Sequence, residues 1–318
     1  MKQVRAAKKF GRVAVFLGGR SHERSISLRS GEAVYQALKS AGVDVIKIDT
    51  ANGFKAKLKA EPVDLAFLAL HGTGGEDGTI QKILNRSRIP YVGSGPKASA
   101  SAFNKATAKR LFLRLGIPTP SYEVVTAKNW ARKLKKWNPP YVVKPVREGS
   151  SIGVSFVDRL SEARQKIQST LKNYPQLLIE RKIEGREFTV GILGEKALPV
   201  IELKPKRAFY DYKAKYTKGM TEYLVPAPIS RSLTNQLQSI ALRAHRAIGL
   251  RDLSRVDFKV DSAGHPFVLE VNSIPGFTEM SLLPKAAKHI GLEFNDLCVG
   301  LLEMAQSRSG PGKDQRHG

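Results

Sequence analysis

The chain has 318 residues, 42% of them hydrophobic, which is enough for two or three domains with a sizeable core. It contains a single cysteine, Cys298, so an intramolecular disulfide is excluded and a reducing compartment, the cytoplasm, is expected. Its 53 Lys and Arg against 28 Asp and Glu residues give a net charge of +25, which attracts polyanions. Because these cations are dispersed and no zinc-finger, RNA-binding or leucine-heptad pattern accompanies them, dedicated nucleic-acid binding is not expected.

The N-terminal third of the chain alternates between strand and helix patterns. Strands are predicted over 12–18, 43–49, 64–70 and 89–92, and helices over 27–42 and 79–87. The apolar run that begins at Val13 is too short for a signal sequence or a membrane span, so no membrane insertion is expected. The alternation predicts an α/β domain with a doubly wound parallel sheet, whose ligands lie beyond the carboxyl ends of the strands.

The middle of the chain begins near Lys97. A helix is predicted over 104–116, and a short basic helix near Trp130 is interpreted as a solvated face. The segment 140–157, "PYVVKPVREGSSIGVSFV", predicts a strand, a glycine-serine loop and a second strand. Small residues in such a loop let backbone N–H groups approach phosphate oxygens, and Lys144 stands beside them. An ordinary flexible hairpin is the alternative.

The last part of the chain, from about Glu187, combines strands, a long loop and a long helix. Strands are predicted over 186–193, 197–203, 254–260 and 265–272, with a helix over 233–248. The loop 204–223 has the length of a functional lid or a disordered segment, and the tail from Ser307 is expected to be disordered. We therefore expect domains at residues 1–97, 98–188 and 189–318.

A candidate metal site lies on the hairpin formed by the last two predicted strands of the chain. Glu270 and Asn272 are two residues apart on one strand, and Asp257 lies on the strand joined to it by a short turn. Side chains at period two share a strand face, so the three can meet across the ladder. Oxygen donors of this kind suit Mg²⁺, which takes few protein ligands and shares the rest with phosphates. A solvated strand face is the alternative.

Several common catalytic motifs are absent from the chain. It contains no G-x-x-x-x-G-K-[ST], no G-x-G-x-x-G and no H-E-x-x-H. In the loop "GGRSHERS", Glu23 would repel a phosphate and attract an amine. His71 lies in the neighbouring loop "HGTGGEDGT" with Glu76 and Asp77, and a lone histidine is more often structural than catalytic.

Taken in order, these segments resemble the D-alanine–D-alanine ligase family of the ATP-grasp superfamily. The resemblance runs from about Val13 to Leu297 and rests on "VAVFLGGRSHERSISLRSG", "LALHGTGGEDGTIQKIL", "VVKPVREGSSIGVS", "EGREFTVGIL", "FYDYKAKY", "RVDFKVD" and "LEVNSIPGFTEMSLLPKAA". It implies an α/β, three-domain ATP-grasp architecture with ATP held between the central and C-terminal domains. It further implies ATP-dependent ligation of two D-alanines through an acyl phosphate, for peptidoglycan precursor synthesis, by a homodimer that uses two Mg²⁺ (or Mn²⁺).

The resemblance also implies roles for individual residues. The metal ligands are Asp257, Glu270 and Asn272. ATP is bound by Lys105, Lys144, Ser151, Glu180, Lys182, Ile183, Glu187, Phe209 and Lys215. The catalytic residues are Glu23, Ser150, Tyr216, Arg255, Gly276 and Ser281, and the amino acids are bound by Glu23, His71, Arg255, Gly276, Ser281 and Leu282. Glu23, Ser150 and Tyr216 would close the loop over the site, and the tyrosine, in place of phenylalanine, implies a dipeptide product.

Some features of the chain depart from the family's common pattern. Ser25, Asn104, Phe277 and Met280 stand where other residues are usual, and the high positive charge is not a family feature. None of these four positions is assigned to the chemistry, so they bear on the substrate pocket and not on the reaction. Two alternatives stay open: an ATP-grasp ligase that joins a different carboxylate and amine, and a polyanion-binding protein that has lost catalysis.

Overall fold

The computed structural model describes residues 9–206, 217 and 219–308. Three sheets follow one another along this part of the chain: a four-stranded parallel sheet, a four-stranded antiparallel sheet and a six-stranded antiparallel sheet. Within the described residues, no helix has both the length and the apolar character needed to cross a bilayer.

The first sheet has the strand order β2-β1-β3-β4 and is covered by helices on both faces. Its elements are β1 (Val13–Leu17), α1 (Arg24–Ser40), β2 (Val45–Asp49), α2 (Phe54–Ala60), β3 (Leu65–Leu68), α3 (Thr79–Arg86) and β4 (Tyr91–Val92). Alternate residues of β1 enter different cores: Val15 packs with Val34 of α1, and Phe16 packs with Leu84 of α3. This arrangement confirms the predicted doubly wound parallel sheet.

The second sheet has the strand order β5-β8-β6-β7. The elements of this part are α4 (Pro96–Phe103), α5 (Lys105–Arg114), β5 (Tyr122–Val125), α6 (Trp130–Leu134), β6 (Tyr141–Pro145), β7 (Ser155–Val157), α7 (Leu160–Leu171) and β8 (Leu177–Arg181). One face of the sheet buries Val143 and Ile179 against α7. Because strand residues alternate between faces, Lys144 and Glu180 point to the other side.

The third sheet has the strand order β12-β11-β9-β13-β14, with β10 added to β9. Its elements are β9 (Arg186–Leu193), β10 (Lys196–Ala197), β11 (Ile201–Pro205), β12 (Thr221–Leu224), α8 (Arg231–Ile248), β13 (Leu253–Val260), β14 (Pro266–Asn272), α9 (Leu282–His289) and α10 (Phe294–Ser307). On β13, Val256 and Phe258 enter a core shared with α5 and α8, while Arg255 and Asp257 face the opposite side.

The C-terminal helices return to the first sheet and share its core. Leu301 and Cys298 of α10 are fully buried beside Val15, and burial raises the pKa of the Cys298 thiol. Phe277 lies in the same core, with its ring centroid 5.6 Å from those of both Phe67 and Phe294. Phe277 therefore serves core packing, although its departure from the family pattern suggested an effect on the substrate pocket.

Several element boundaries differ from those predicted. The first helix begins at Arg24, three residues before the predicted start, and the basic helix near Trp130 has only 5 residues. Helix α4 was not predicted, because "PKASASAF" carries small side chains without an apolar period. The expected domain limits at 97 and 188 fall within α4 and β9. Of the predicted lid, Phe209, Lys215 and Tyr216 lie outside the described residues.

Candidate active site

Two adjoining cavities contain the predicted site residues that the structure describes. The loop cavity, of about 260 Å³, lies between the loops that follow β1 and β3, the glycine-serine loop and the start of α9. The sheet cavity, of about 370 Å³, lies between the second and third sheets. Gly149 and Glu270 line both cavities, so the two spaces meet at these residues.

The sheet cavity brings together all the described residues predicted to bind ATP. These are Lys105, Lys144, Ser151, Glu180, Lys182, Ile183 and Glu187. The opposite wall carries Asp257 and Lys259 of β13, and the Lys259 Nζ lies 3.3 Å from Glu187 Oε2. The cavity is within the size range of small-molecule and cofactor sites, and its charged groups suit a phosphorylated ligand.

A buried ion-pair cluster underlies the sheet cavity. The Lys144 Nζ lies 2.8 Å from Glu180 Oε1, and the Lys109 Nζ lies 2.5 Å from Glu180 Oε2. Burial lowers the pKa of Lys109 to about 8. Burial also acts to raise the pKa of Glu180, but the two lysines outweigh it and hold that pKa below its ordinary value. Lys109 and Glu180 are therefore predominantly charged at neutral pH.

Lys109 was not among the residues predicted to bind ATP. A signal was present, because Lys109 lies four residues after Lys105 on α5, and residues at this spacing share a helix face. Lys105 itself reaches the junction of the cavities: its Nζ lies 2.5 Å from the Glu148 backbone oxygen and 3.3 Å from Glu270 Oε2.

The candidate metal ligands lie together, as the hairpin predicted. In the register of β13 and β14, Asp257 pairs with Glu270 and Arg255 pairs with Asn272, with a bulge after Asp257. The Asn272 Nδ2 donates to Asp257 Oδ2 at 3.0 Å. Arg255 donates to both Asp257 oxygens, at 2.8 and 2.7 Å, and Thr189 donates to one of them at 2.6 Å.

The donor set fits a hard divalent cation. Two carboxylates and an amide offer oxygen ligands at the junction of the cavities, where a ligand in the sheet cavity could supply further oxygens. No group of three or more His, Cys, Asp or Glu side chains suited to a metal occurs in the described part of the chain. A cation site completed by oxygens of a bound ligand accounts for the three oxygen donors and for the lack of a larger cluster of metal-binding side chains in the described residues.

The loop cavity is built around a buried carboxylate. Glu23 precedes α1 and is 5% exposed, and the Ser150 hydroxyl donates a hydrogen bond to its Oε1. Ser150 and Ser151 have φ of 49° and 59°, a left-handed conformation that costs on the order of 1–3 kcal/mol for a non-glycine residue. The glycine-serine loop is therefore held in a strained shape against Glu23.

Glu76 adds a second carboxylate to the same cavity. It is buried, and its Oε2 accepts a hydrogen bond from the Gly72 N–H at 2.8 Å. Burial, reinforced by the charge of Glu23, raises the pKa of Glu76 to about 8. Burial therefore favours the protonated form of Glu76.

His71 lines the loop cavity but is engaged by protein groups on both sides. Its Nδ1 lies 3.1 Å from the Ile274 carbonyl, so Nδ1 carries the hydrogen, and its Nε2 lies 3.1 Å from Ser30 Oγ. That hydroxyl in turn accepts from the Phe277 N–H at 3.2 Å. Burial lowers the pKa of His71 to about 4, so the ring is neutral. These contacts favour the structural interpretation, in which His71 orients the segment that contains Gly276.

The far wall of the loop cavity carries Gly276, Ser281 and Leu282, the last at the start of α9. The Ser281 Oγ accepts from the Thr278 N–H at 3.0 Å, which fixes the hydroxyl beside the helix. Met280 also lines the cavity and is 72% exposed.

The fold is that of ATP-grasp ligases. Family models described as "D-ala D-ala ligase N-terminus" and "D-ala D-ala ligase C-terminus" match residues 49–94 and 111–303. The chain therefore belongs to the D-alanine–D-alanine ligase family.

Relatives and solved structures match over nearly the whole chain. The D-alanine–D-alanine ligase of Methylacidiphilum infernorum is 46% identical, over 93% of this chain and 96% of its own. The structure of D-alanine–D-alanine ligase from Bacillus anthracis complexed with ATP has a TM-score of 0.83 at 30% identity, over 94% and 98% of the two chains. That of the VanG D-Ala:D-Ser ligase from Enterococcus faecalis has a TM-score of 0.81 at 28% identity, over 92% and 99%.

Proposed function

We propose that this protein joins two molecules of D-alanine into D-alanyl-D-alanine and converts ATP to ADP and phosphate in the same reaction, for peptidoglycan precursor synthesis. The observation that carries this proposal is the meeting of the two cavities at Gly149 and Glu270. A cavity of amino-acid size with a buried anion opens there onto a larger cavity lined by lysines.

The reaction has two steps. A carboxylate oxygen of the first D-alanine attacks the γ-phosphorus of ATP, the bond to the bridging oxygen breaks, and ADP leaves. The amine nitrogen of the second D-alanine then attacks the acyl carbon, and the tetrahedral intermediate expels phosphate while the nitrogen loses a proton. Phosphoryl transfer depends mainly on positioning and charge neutralisation, which a lysine-lined cavity supplies.

The ATP ligands proposed here are the residues of the sheet cavity, with Phe209 and Lys215 from outside the described residues. Lys105 and Lys144 hold phosphates, and Glu180 and Glu187 meet the base and the ribose. Asp257, Glu270 and Asn272 would hold two Mg²⁺ (or Mn²⁺), which when bound neutralise phosphate charge.

The amino-acid ligands proposed here are the residues of the loop cavity. Glu23 pairs with the ammonium of the first D-alanine, with Ser150 and Tyr216 closing the loop over it. The carboxylate of the second D-alanine binds Ser281 and the Leu282 N–H, because a helix N-terminus attracts anions. Arg255 and the Gly276 N–H stabilise the oxyanion of the tetrahedral intermediate.

The reaction is tested by measuring ADP formation from ATP with and without D-alanine and identifying the product by mass spectrometry. We expect D-alanine-dependent ADP release and D-alanyl-D-alanine. A panel of D-serine, D-lactate, glycine and L-alanine tests the acceptor, because the E. faecalis structure is of a D-Ala:D-Ser ligase. Preferred formation of D-alanyl-D-serine would replace the proposed product, an ester with D-lactate would contradict the role of Tyr216, and no D-alanine dependence would contradict the proposal itself.

We further propose a homodimer in the cytoplasm, with three units at residues 1–97, 98–188 and 189–318. The use of ATP supports the compartment. The succession of three sheets along the chain supports a division into three units, although the limits at 97 and 188 cut α4 and β9. Light scattering on the purified protein is expected to give twice the mass of 35.0 kDa, and a single-chain mass would contradict the dimer.

The glycine-serine loop provides a steric prediction. A Cβ at position 149 would lie 2.4 Å from Glu23 Oε2, although the Gly149 backbone does not itself require glycine. Gly149→Ala is therefore expected to displace Glu23 or the loop and to lower kcat/KM for D-alanine by about 100-fold, since small misplacements at a reacting centre have effects of this order. Steady-state kinetics with varied D-alanine measures the effect.

A matched control is Gly300→Ala. Gly300 lies within α10, where an added Cβ meets nothing within 4 Å, and alanine is favoured over glycine in helices. This variant should keep full activity and melt at the same or a higher temperature. Unchanged D-alanine kinetics in Gly149→Ala would show that the loop and Glu23 do not act together.

A further inference from the structure

The two oxygens of Glu180 are held by lysines from different parts of the fold. Lys144 lies on β6, the neighbouring strand of the same sheet, and contacts Oε1. Lys109 lies on α5, whose apolar side packs into the core of the third sheet through Ala108 and Phe112, and contacts Oε2. The carboxylate therefore has one cationic partner from its own sheet and a second from outside it.

The two lysines differ in what else they can reach. Lys144 lines the sheet cavity, so a ligand phosphate can contact its ammonium group. Lys109 is 1% exposed and is absent from the cavity lining. Its Nζ also donates to Thr119 Oγ1 at 2.6 Å, and that hydroxyl donates to the Val268 carbonyl at 2.7 Å. Lys109 is thus fixed in place while Lys144 is available to a ligand.

This difference matters when a nucleotide binds. If Lys144 turns towards phosphate, Glu180 loses one of its two cationic partners. The Glu180 residue is only 2% exposed, so water cannot replace that partner. A buried carboxylate without a partner is strongly disfavoured and becomes protonated or moves. Lys109 would oppose both outcomes, because its contact with Oε2 does not involve Lys144.

We propose that Lys109 is a positioning residue for nucleotide selection, which keeps Glu180 ionised and oriented as a hydrogen-bond acceptor for the exocyclic amine of adenine. The inference rests on the proposed ATP site. A carboxylate can only accept, so it suits a purine with a 6-amino donor and opposes one with a 6-oxo acceptor. Lys109 acts on the base through Glu180 and does not contact the nucleotide.

The test uses Lys109→Met, which preserves the length of the side chain and removes its charge. Dissociation constants are measured by calorimetry, without D-alanine, for ATP and for purine riboside triphosphate, which lacks the 6-amino group. We expect ATP to bind about 10-fold more weakly, the loss typical of a hydrogen bond to a charged group, and the purine analogue to bind as before. An unchanged ratio of the two constants in the folded variant would overturn the inference.

A double-mutant cycle separates positioning from simple structural support. In a Glu180→Gln background, Lys109→Met should cause no further loss of ATP selectivity, because its effect passes through Glu180. Additive losses would overturn the inference. Lys133→Met is the matched control: the Lys133 Nζ lies 3.1 Å from Glu123 Oε1 beside the same sheet, away from the cavity, and the variant should keep the wild-type ratio.

A milder variant covers the case in which Lys109→Met does not fold. Thr119→Val removes the hydroxyl that fixes Lys109. It should reduce the preference for ATP over the purine analogue, by a smaller factor than Lys109→Met. An unchanged preference would count against the inference. Because binding is measured without D-alanine, failure of the ligase reaction remains distinguishable. A protein that binds ATP selectively but forms no dipeptide would contradict the proposed function alone.

Discussion

Replacing Glu270 with alanine is expected to lower D-alanine-dependent ADP formation by about 10³-fold or more. Glu270 lies where the two cavities meet, opposite Asp257 and 3.3 Å from the Lys105 Nζ. A cation bound there would lose a charged oxygen ligand, and the lysine would lose its anionic partner. Because phosphoryl transfer relies on charge balance at this point, the loss should fall on kcat.

The same variant is expected to remain folded. The Glu270 side chain is 25% exposed, and no apolar core depends on it. Thermal melting and circular dichroism test this, and titration of Mg²⁺ by calorimetry should show weakened cation binding independently of turnover. Glu293→Ala is the control, because Glu293 only pairs with Lys288 at 3.3 Å on the surface. Retention of a tenth or more of the activity in Glu270→Ala would contradict the proposed role.

Arg255→Met is expected to lower kcat by about 10²- to 10³-fold, the usual effect of removing one oxyanion donor. The guanidinium lies in the loop cavity and is oriented by two hydrogen bonds to Asp257. Methionine keeps the apolar length of the side chain but cannot donate. Single-turnover measurement of dipeptide formation after ATP binding would locate the loss in the chemical steps.

The third sheet offers a matched control for Arg255. Arg186 makes the same bidentate contact, to Glu202 at 2.8 and 2.7 Å, but does not line either cavity. Arg186→Met should lower the melting temperature at least as much, because the Glu202 side chain is 3% exposed and that of Asp257 is 14%. It should nevertheless leave kcat nearly unchanged. Equal losses of kcat in both variants would show that Arg255 acts through folding alone.

The candidate metal site was predictable because it depends on local structure. A short turn sets the register of β13 and β14, and a period of two places Asp257, Glu270 and Asn272 on one side of the hairpin. The parallel first sheet was predictable for a similar reason, since its apolar strands alternate with amphipathic helices. The predicted convergence of the loops after β1 and β3 is confirmed by Glu23 and His71, which line one cavity.

Other parts of the site depend on contacts between distant segments and could not be predicted from local patterns. The contact of Lys109 with Glu180 joins a helix to a strand of another layer, and only the shared helix face with Lys105 hinted at it. The contacts of His71 with Ile274 and Ser30 likewise depend on how the last segment returns to the first sheet. Helix α4 was missed because small residues lack the apolar period that marks a packed helix face.

The distribution of the cores has a consequence for release of the products. In the part of the chain that the structure describes, the buried residues of the second sheet's core all lie between Val125 and Ile179, whereas the first and third sheets contribute together to another core. The second sheet can therefore tilt as a rigid body without dividing that core. Because Gly149 lines both cavities and Ser150 reaches across to Glu23, one such hinge movement would open both at once. Departure of the dipeptide and departure of ADP would then share a single gate.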